Sequence, residues 1–175
     1  GDGVLGQMAE PVEKHPYKPI LKLPAKDFVL DGCKGRPPRV IKTLYLHPTD
    51  SLVVHNLHLQ EKYARIRRDL SLFEEYETED AEVIVSAYGI CGRVAKGAVK
   101  MARQEGIKAG LIRPLCVWPF PAEPYVRAAR TAKQFLVVEM SHGQFIEDVK
   151  LAMECRRPTS FLGKGGGWYP MPEEI

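Results

Sequence analysis

Between Glu82 and Leu162 short apolar runs alternate with amphipathic stretches, and this alternation restricts the possible folds more than any other feature of the chain. The runs are Glu82–Tyr88 (EVIVSAY), Ala109–Arg113 (AGLIR), Gln134–Glu139 (QFLVVE) and Thr159–Leu162 (TSFL). Each has the length and aliphatic content of a strand. Between them the spacing predicts helices over Gly92–Glu105, Ala122–Ala132 and Gln144–Ala152, with Gly106 as the C-terminal stop of the first. The first and third runs are almost continuously apolar, which suits parallel strands covered by helices on both faces. Strand–helix alternation of this kind predicts right-handed crossovers and an open, mainly parallel α/β sheet with flanking helices.

What precedes the alternation has a different texture. From Glu10 to Thr49 there are prolines at 11, 16, 19, 24, 37, 38 and 48, each removing a backbone donor and opposing helix. The segment reads as an extended arm. Its apolar residues, among them Tyr17, Ile20, Leu21, Phe28 and Leu30, are too many for a solvated linker and need a surface to lie against. Thr49 or Asp50 then caps a predicted long helix with apolar residues at Leu52, Leu59, Tyr63, Ile66, Leu70 and Phe73. That stripe is narrow, as in a helix docked on one neighbour; the regular heptads are too few to specify a coiled coil. Glu77–Asp80 is expected to be a charged turn.

Charge and cysteine usage exclude several function classes. The net charge of +3 is spread over 25 basic and 22 acidic residues, with no long single-sign block to favour nucleic acid or an anionic membrane. No apolar run approaches the roughly 20 residues that span a bilayer. Cys33, Cys91, Cys116 and Cys155 are scattered and form no C-x-x-C pair, which removes the usual signal for zinc, an iron–sulfur cluster or dithiol chemistry. Free thiols in a reducing, cytoplasmic setting are expected. The opening residues Gly1–Gln7, without Met, read as a loop entering a helix inside a larger domain, so the chain is expected to be a fragment.

Chemistry-bearing positions are few. The turn Tyr88-Gly89-Ile90-Cys91-Gly92-Arg93 leaves the first strand for the first helix, where α/β proteins often bind phosphate. It lacks the third glycine of a dinucleotide fingerprint, and a tight strand-to-helix turn explains its glycines better than phosphate binding does. Cys91 there and His142 after the third strand could share one sheet edge, making Gly89, Cys91, Gly92 and His142 the crevice candidates for cofactor binding. His142, with Ser141 and Gln144, is alternatively a helix cap or a partner contact. His55 and His58 have no metal-ligand spacing. The loop Arg113–Pro121 (RPLCVWPFP) is either an internal buttress or an exposed anchor for another subunit. The tail Gly163–Pro170 (GKGGGWYP) lacks a P-loop's spacing and its following helix.

Several stretches together resemble one known family. DGVLGQMAEPVE (2–13), GRPPRVIKTLYL (35–46), HNLHLQEKY (55–63), AEVIVSAYG (81–89), GLIRPLCVWPFP (110–121), FLVVEMSHGQFIEDV (135–149) and PMPEEI (170–175) are similar, in order, to the C-terminal part of α-type chains of 2-oxoacid:ferredoxin oxidoreductases. The stretch LPAKDFVLDGCKGRPPRV (23–40) resembles most the subunits acting on branched-chain 2-oxoacids, the 2-oxoisovalerate (3-methyl-2-oxobutanoate) type, with the 2-oxoglutarate enzymes also similar. The resemblance implies that residues 1–13 end a truncated pyrimidine-binding domain, 14–78 form the arm and a long linker helix, and 79–175 form a domain like the C-terminal domain of transketolase. It implies a complex that uses thiamine diphosphate, Mg2+, iron–sulfur clusters and coenzyme A, and delivers electrons to ferredoxin. It implies no catalytic residue and no cofactor within this chain, whose partners are the other subunits and the preceding domain. The alternative from the residues alone is an independent small nucleotide- or CoA-binding domain.

Overall fold

The computed structural model describes residues 9, 11, 13, 14, 16, 26, 29–39 and 50–175. The predicted arm, Thr49 as a helix cap and the end of the expected first domain lie largely or wholly outside these residues. The chain divides into two units, residues 1–61 and 62–175. In the first, the described arm residues make a turn in which the Cys33 carbonyl accepts from the Arg36 N–H at 2.8 Å, and the Arg36 guanidinium reaches the Gly32 carbonyl at 2.6 Å and the Asp31 carboxylate.

Helix α1 (Asp50–Leu70) is followed by strand β1 (Phe73–Tyr76), β2 (Val83–Ala87), α2 (Gly89–Gln104), β3 (Ala109–Pro114), α3 (Ala122–Ala128), β4 (Gln134–Glu139), α4 (Gln144–Ala152), β5 (Thr159–Gly163) and a final 3-10 turn at Pro172–Glu174. The open α/β sheet expected from the alternation is present, with strand order β1-β3-β2-β4-β5. Strands β3, β2, β4 and β5 are parallel, with Val83 beside both Ala109 and Gln134, and Phe135 beside Thr159.

Strand β1 is the addition that periodicity did not predict. The long helix, expected to run to Phe73, stops at Leu70, where the Ser71 hydroxyl bonds back to the Arg67 carbonyl at 2.6 Å. Phe73–Tyr76 then pairs antiparallel with β3, Phe73 opposite Pro114 and Tyr76 opposite Leu111. FEEY is too short and too acidic to announce a strand, and its place at the sheet edge is what tolerates exposed Glu74 and Glu75. Two further boundaries move. Helix α2 begins at Gly89 rather than Gly92, and α3 ends at Ala128 rather than Ala132, residues 129–131 being turns.

Alternation along the strands sorts the core into two layers. Ile84, Ile112, Phe135 and Val137 face α3 and α4, packing with Tyr125, Phe145, Val149 and Met153. Val85, Ala87, Leu111 and Val138 are buried too, and α2 buries Ile90, Cys91, Ala95, Ala98 and Val99. In α1 the half-buried residues are His55, Leu59, Tyr63 and Ile66, a single stripe spaced four, four and three.

Candidate functional site

Parallel strands that all enter from one side release their following loops on the opposite, C-terminal edge, where α/β proteins build their sites. Here that edge carries the turn at 88–92, the strap 115–121, the turn 140–143 and the glycine-rich stretch 164–167. The predicted crevice residues therefore come from adjacent strands, since β2 and β4 are neighbours in the sheet.

They are seated differently. Gly89 is exposed in the left-handed region at φ +55°, a conformation that explains glycine there. Cys91 is buried, only 3% exposed. Gly92 is buried so closely beneath the sheet that an added Cβ would stand 2.9 Å from both the Ala87 carbonyl oxygen and the Arg113 side chain. The glycine is thus required by helix–strand packing. His142 is exposed in its turn, its backbone N–H donating to Gln144 Oε1 at 3.0 Å. Its imidazole lies against the tail, where a Cβ on Gly165 would come within 2.7 Å of Nε2. What joins the two turns is aromatic: the Tyr88 and Phe145 rings meet edge to face, centroids 4.9 Å apart.

The polar group at the centre of this edge is Glu139, fully buried at the end of β4. Its Oε2 accepts from the Ser141 hydroxyl at 2.7 Å and the Phe145 backbone N–H at 2.8 Å, so the carboxylate straps the 140–143 turn and satisfies the start of α4. Its Oε1 has no donor among the described residues. One layer below, Ser86 and Tyr125 join their hydroxyls at 2.6 Å in the core. Burial pushes the Tyr125 phenol well above its ordinary range, and the bond to Ser86 offsets only part of this. Neither Glu139 nor the Ser86–Tyr125 pair was singled out from sequence. An acid closing the apolar run QFLVVE was the available signal for Glu139.

The strap after β3 sends its two aromatic rings in different directions. Phe120 turns inward and stacks on Tyr125, centroids 5.3 Å apart, while Trp118 stays 55% exposed against the edge of Tyr63. One ring of the loop buttresses the core and the other stays at the surface. By contrast, a cleft of about 870 Å³ lies at the opposite end of the sheet, between the charged turn Glu77–Asp80 and Arg127–Thr131.

These donor sets do not fit a metal or a cluster. Among the described residues no three His, Cys, Asp or Glu side chains converge. Cys33 and Cys155 are exposed, Cys91 is in the core, and Cys116 places its sulfur 3.0 Å from the Leu70 carbonyl oxygen and 3.2 Å from that of Pro119. No helix among the described residues is long and apolar enough to cross a membrane.

Residues 81–175 match the family model of pyruvate:ferredoxin oxidoreductase core domain II. The chain belongs to this family. It is 43% identical over 95% of its length to the ketoisovalerate oxidoreductase subunit VorB of Methanothermobacter marburgensis, of which it covers 46%. It is 38% identical over 67% of its length to the 2-oxoglutarate synthase subunit KorA of Methanothermobacter thermautotrophicus, of which it covers 31%. The chain thus spans about half the length, or less, of these curated relatives. A solved 2-oxoglutarate:ferredoxin oxidoreductase from Magnetococcus marinus, with 2-oxoglutarate, coenzyme A and succinyl-CoA bound, shares the fold at a TM-score of 0.58 and 20% identity, over 81% of this chain and 23% of that one. The core domain II of this chain is accordingly a domain of the α/β kind expected from its strand–helix alternation, and its relatives are subunits of oxidoreductases.

Proposed function

We propose that the chain is part of the α-type subunit of a thiamine-diphosphate-dependent 2-oxoacid:ferredoxin oxidoreductase that acts on a branched-chain 2-oxoacid, in the first place 2-oxoisovalerate. The reaction joins the acyl group of the 2-oxoacid to coenzyme A, releases CO2 and passes two electrons to ferredoxin. The single observation that carries the substrate assignment is the 43% identity to a ketoisovalerate oxidoreductase subunit across almost the entire chain; the likeness to 2-oxoglutarate synthase subunits is lower and reaches over less of it.

Within that complex this chain serves structure and interaction. Its C-terminal edge supports the assignment: the buried carboxylate of Glu139 straps a turn, the Cys91 thiol is in the core and the His142 imidazole is at the surface. Such a carboxylate holds a loop in place. Thiamine diphosphate, Mg2+, the iron–sulfur clusters and coenzyme A are held by other parts of a cytoplasmic, oligomeric assembly. Residues 1–13 end the preceding pyrimidine-binding domain, 14–78 serve as arm and linker helix, and 79–175 form the interaction domain.

The test is to purify the chain anaerobically with its co-expressed companion subunits and follow coenzyme-A-dependent ferredoxin reduction. Reduction with 2-oxoisovalerate in preference to 2-oxoglutarate is expected. Preference for 2-oxoglutarate would move the assignment to that enzyme, and inactivity of a cofactor-loaded complex with every 2-oxoacid would overturn it.

A further inference from the structure

The strap after β3 and the last turns of α1 form an outward surface that the fold itself does not use. Leu70, Leu72, Leu115, Val117 and Trp118 are each between 51% and 56% exposed. They are held together rather than scattered. The Leu115 N–H donates to the Leu72 carbonyl at 3.0 Å, the Cys116 sulfur lies 3.0 Å from the Leu70 carbonyl oxygen and 3.3 Å from the Leu72 nitrogen, and the Trp118 ring meets Tyr63 at 89°, centroids 5.7 Å apart. Exposed apolar side chains fixed in one patch mark an interaction surface, and a preorganised tryptophan is the residue type that most often anchors one.

The charge around the patch identifies its occupant. On α1, Tyr63, Ile66 and Leu70 share one face, flanked by Lys62 and Arg65 on one side and Arg67 on the other. Lys62, Arg65, Ile66, Asp69 and Leu70 line one shallow cleft. Its single carboxylate, Asp69, is already engaged by Arg68 at 2.7 Å. Lys62 and Arg67 are in no ion pair among the described residues, and Arg65 acts on the same Asp69 only at longer range. An apolar centre with a net cationic rim is complementary to an apolar centre with an acidic rim. The four Lys and Arg between 62 and 68 only reach the lower bound of the roughly 4–8 that hold a protein to an anionic lipid surface, and Glu61 and Asp69 bracket them, which favours a protein face over a membrane.

We infer that this surface docks an acidic, apolar-centred face of a companion polypeptide in the assembled oxidoreductase. The inference rests on the subunit reading above and deepens it by naming where a partner binds and of what chemistry.

The experiment uses the full chain, alone and in the complex co-expressed with its companions. In a Trp168→Phe background, Trp118 is the remaining tryptophan, and acrylamide quenching of its fluorescence reports its exposure. It should be quenched freely in the isolated chain and shielded in the complex. Carbodiimide, which joins an amine directly to a carboxylate, should link Lys62 to an Asp or Glu of a companion, identified by mass spectrometry. Trp118→Ala should weaken assembly at least about 30-fold, as hot-spot anchors do. Because that change could disturb the strap, Arg65→Glu with Arg67→Glu, both exposed, serves as the independent variant: circular dichroism unchanged, association slower, and its salt dependence reduced. A complex active toward a 2-oxoacid in which Trp118 remains fully quenchable would overturn the docking surface while leaving the enzyme assignment standing. So would shielding of Trp118 in the isolated chain, concentration-dependent shielding by a second copy, or binding to anionic vesicles in place of the companion. A companion-bound chain with Trp118 shielded but no 2-oxoacid activity would overturn the enzyme assignment alone.

Discussion

Ser86 and Tyr125 are a pair whose worth lies in being complete. Their hydroxyls meet at 2.6 Å between β2 and α3, with both residues fully buried. Removing one leaves the other without a partner in the core, which costs about 1–3 kcal/mol, whereas removing both deletes the unmet demand as well. Urea unfolding should therefore show Tyr125→Phe and Ser86→Ala each destabilising, with the double variant less destabilised than their sum. The same pair sets an alkaline limit. Burial raises the folded-state pKa of Tyr125 above the unfolded value of 10.0, so the unfolded chain loses its proton first. Stability contributed by the phenol is complete below pH 10 and declines above it, and Tyr125→Phe should flatten that decline relative to the parent chain. Glu139 gives a second residue-scale outcome. Glu139→Ala strands the Phe145 N–H and the Ser141 hydroxyl and should cost about 2–3 kcal/mol, as for bonds to a charged acceptor. Glu139→Gln keeps one acceptor oxygen and should lose less. If the two variants were equally stable in urea titrations, the strapping role would be wrong. The sequence showed an acid at the end of an apolar run but not which backbone N–H groups it would meet, because that depends on how the following turn closes.

Elements are held to one another by a few reaching side chains, and Arg103 is the clearest. From the last turn of α2 its Nε donates to the Ala109 carbonyl at 2.7 Å, and its Nη2 donates to the Glu77 carbonyl at 2.7 Å and to Asp80 at 2.6 Å. One guanidinium thus ties α2, the start of β3 and the turn between β1 and β2. That contact holds the Asp80 carboxyl below its ordinary range, so its contribution is present above the unfolded-state value and fades as the pH falls through the lowered one. Arg103→Ala should destabilise by about 1 kcal/mol or more through the orphaned carbonyls and should raise amide exchange in residues 77–82 before the rest of the sheet. Beside it, Gly110 is closed to any side chain: a Cβ would stand 2.6 Å from the Glu77 carbonyl oxygen. The parallel strands were legible as short apolar runs, most continuous in β2 and β4, which are covered on both faces; their order in the sheet was not, because periodicity does not say on which side of β2 each crossover returns. The antiparallel β1 was not, since its pairing with β3 is made by backbone groups while its side chains, Glu74 and Glu75, face water. The crevice residues were legible as neighbours at one edge, but not the burial of Cys91 or the turning of His142 toward Gly165.

At the scale of the whole sheet, the strand order places β2 between β3 and β4, with β1 and β5 at the margins. Ile84 and Ala87 are completely buried in β2, as are Phe135 and Val137 in β4, while β5 exposes Ser160 and Phe161. A central strand cannot open without separating from two neighbours and from helices on both faces; an edge strand leaves only one neighbour. Opening free energies should therefore grade inward across the sheet. Native-state hydrogen exchange should show the amides of β2 and β4 exchanging only through global unfolding, with those of β1 and β5 exchanging through smaller openings. Ile84→Ala should cost about 2–5 kcal/mol, because packed strands and helices on every side prevent the cavity from collapsing, and it should shift every slow amide together. Phe161→Ala at the exposed margin should cost far less and accelerate β5 alone. Uniform protection across all five strands would mean that the edges are pinned as firmly as the centre, and the graded picture would fail.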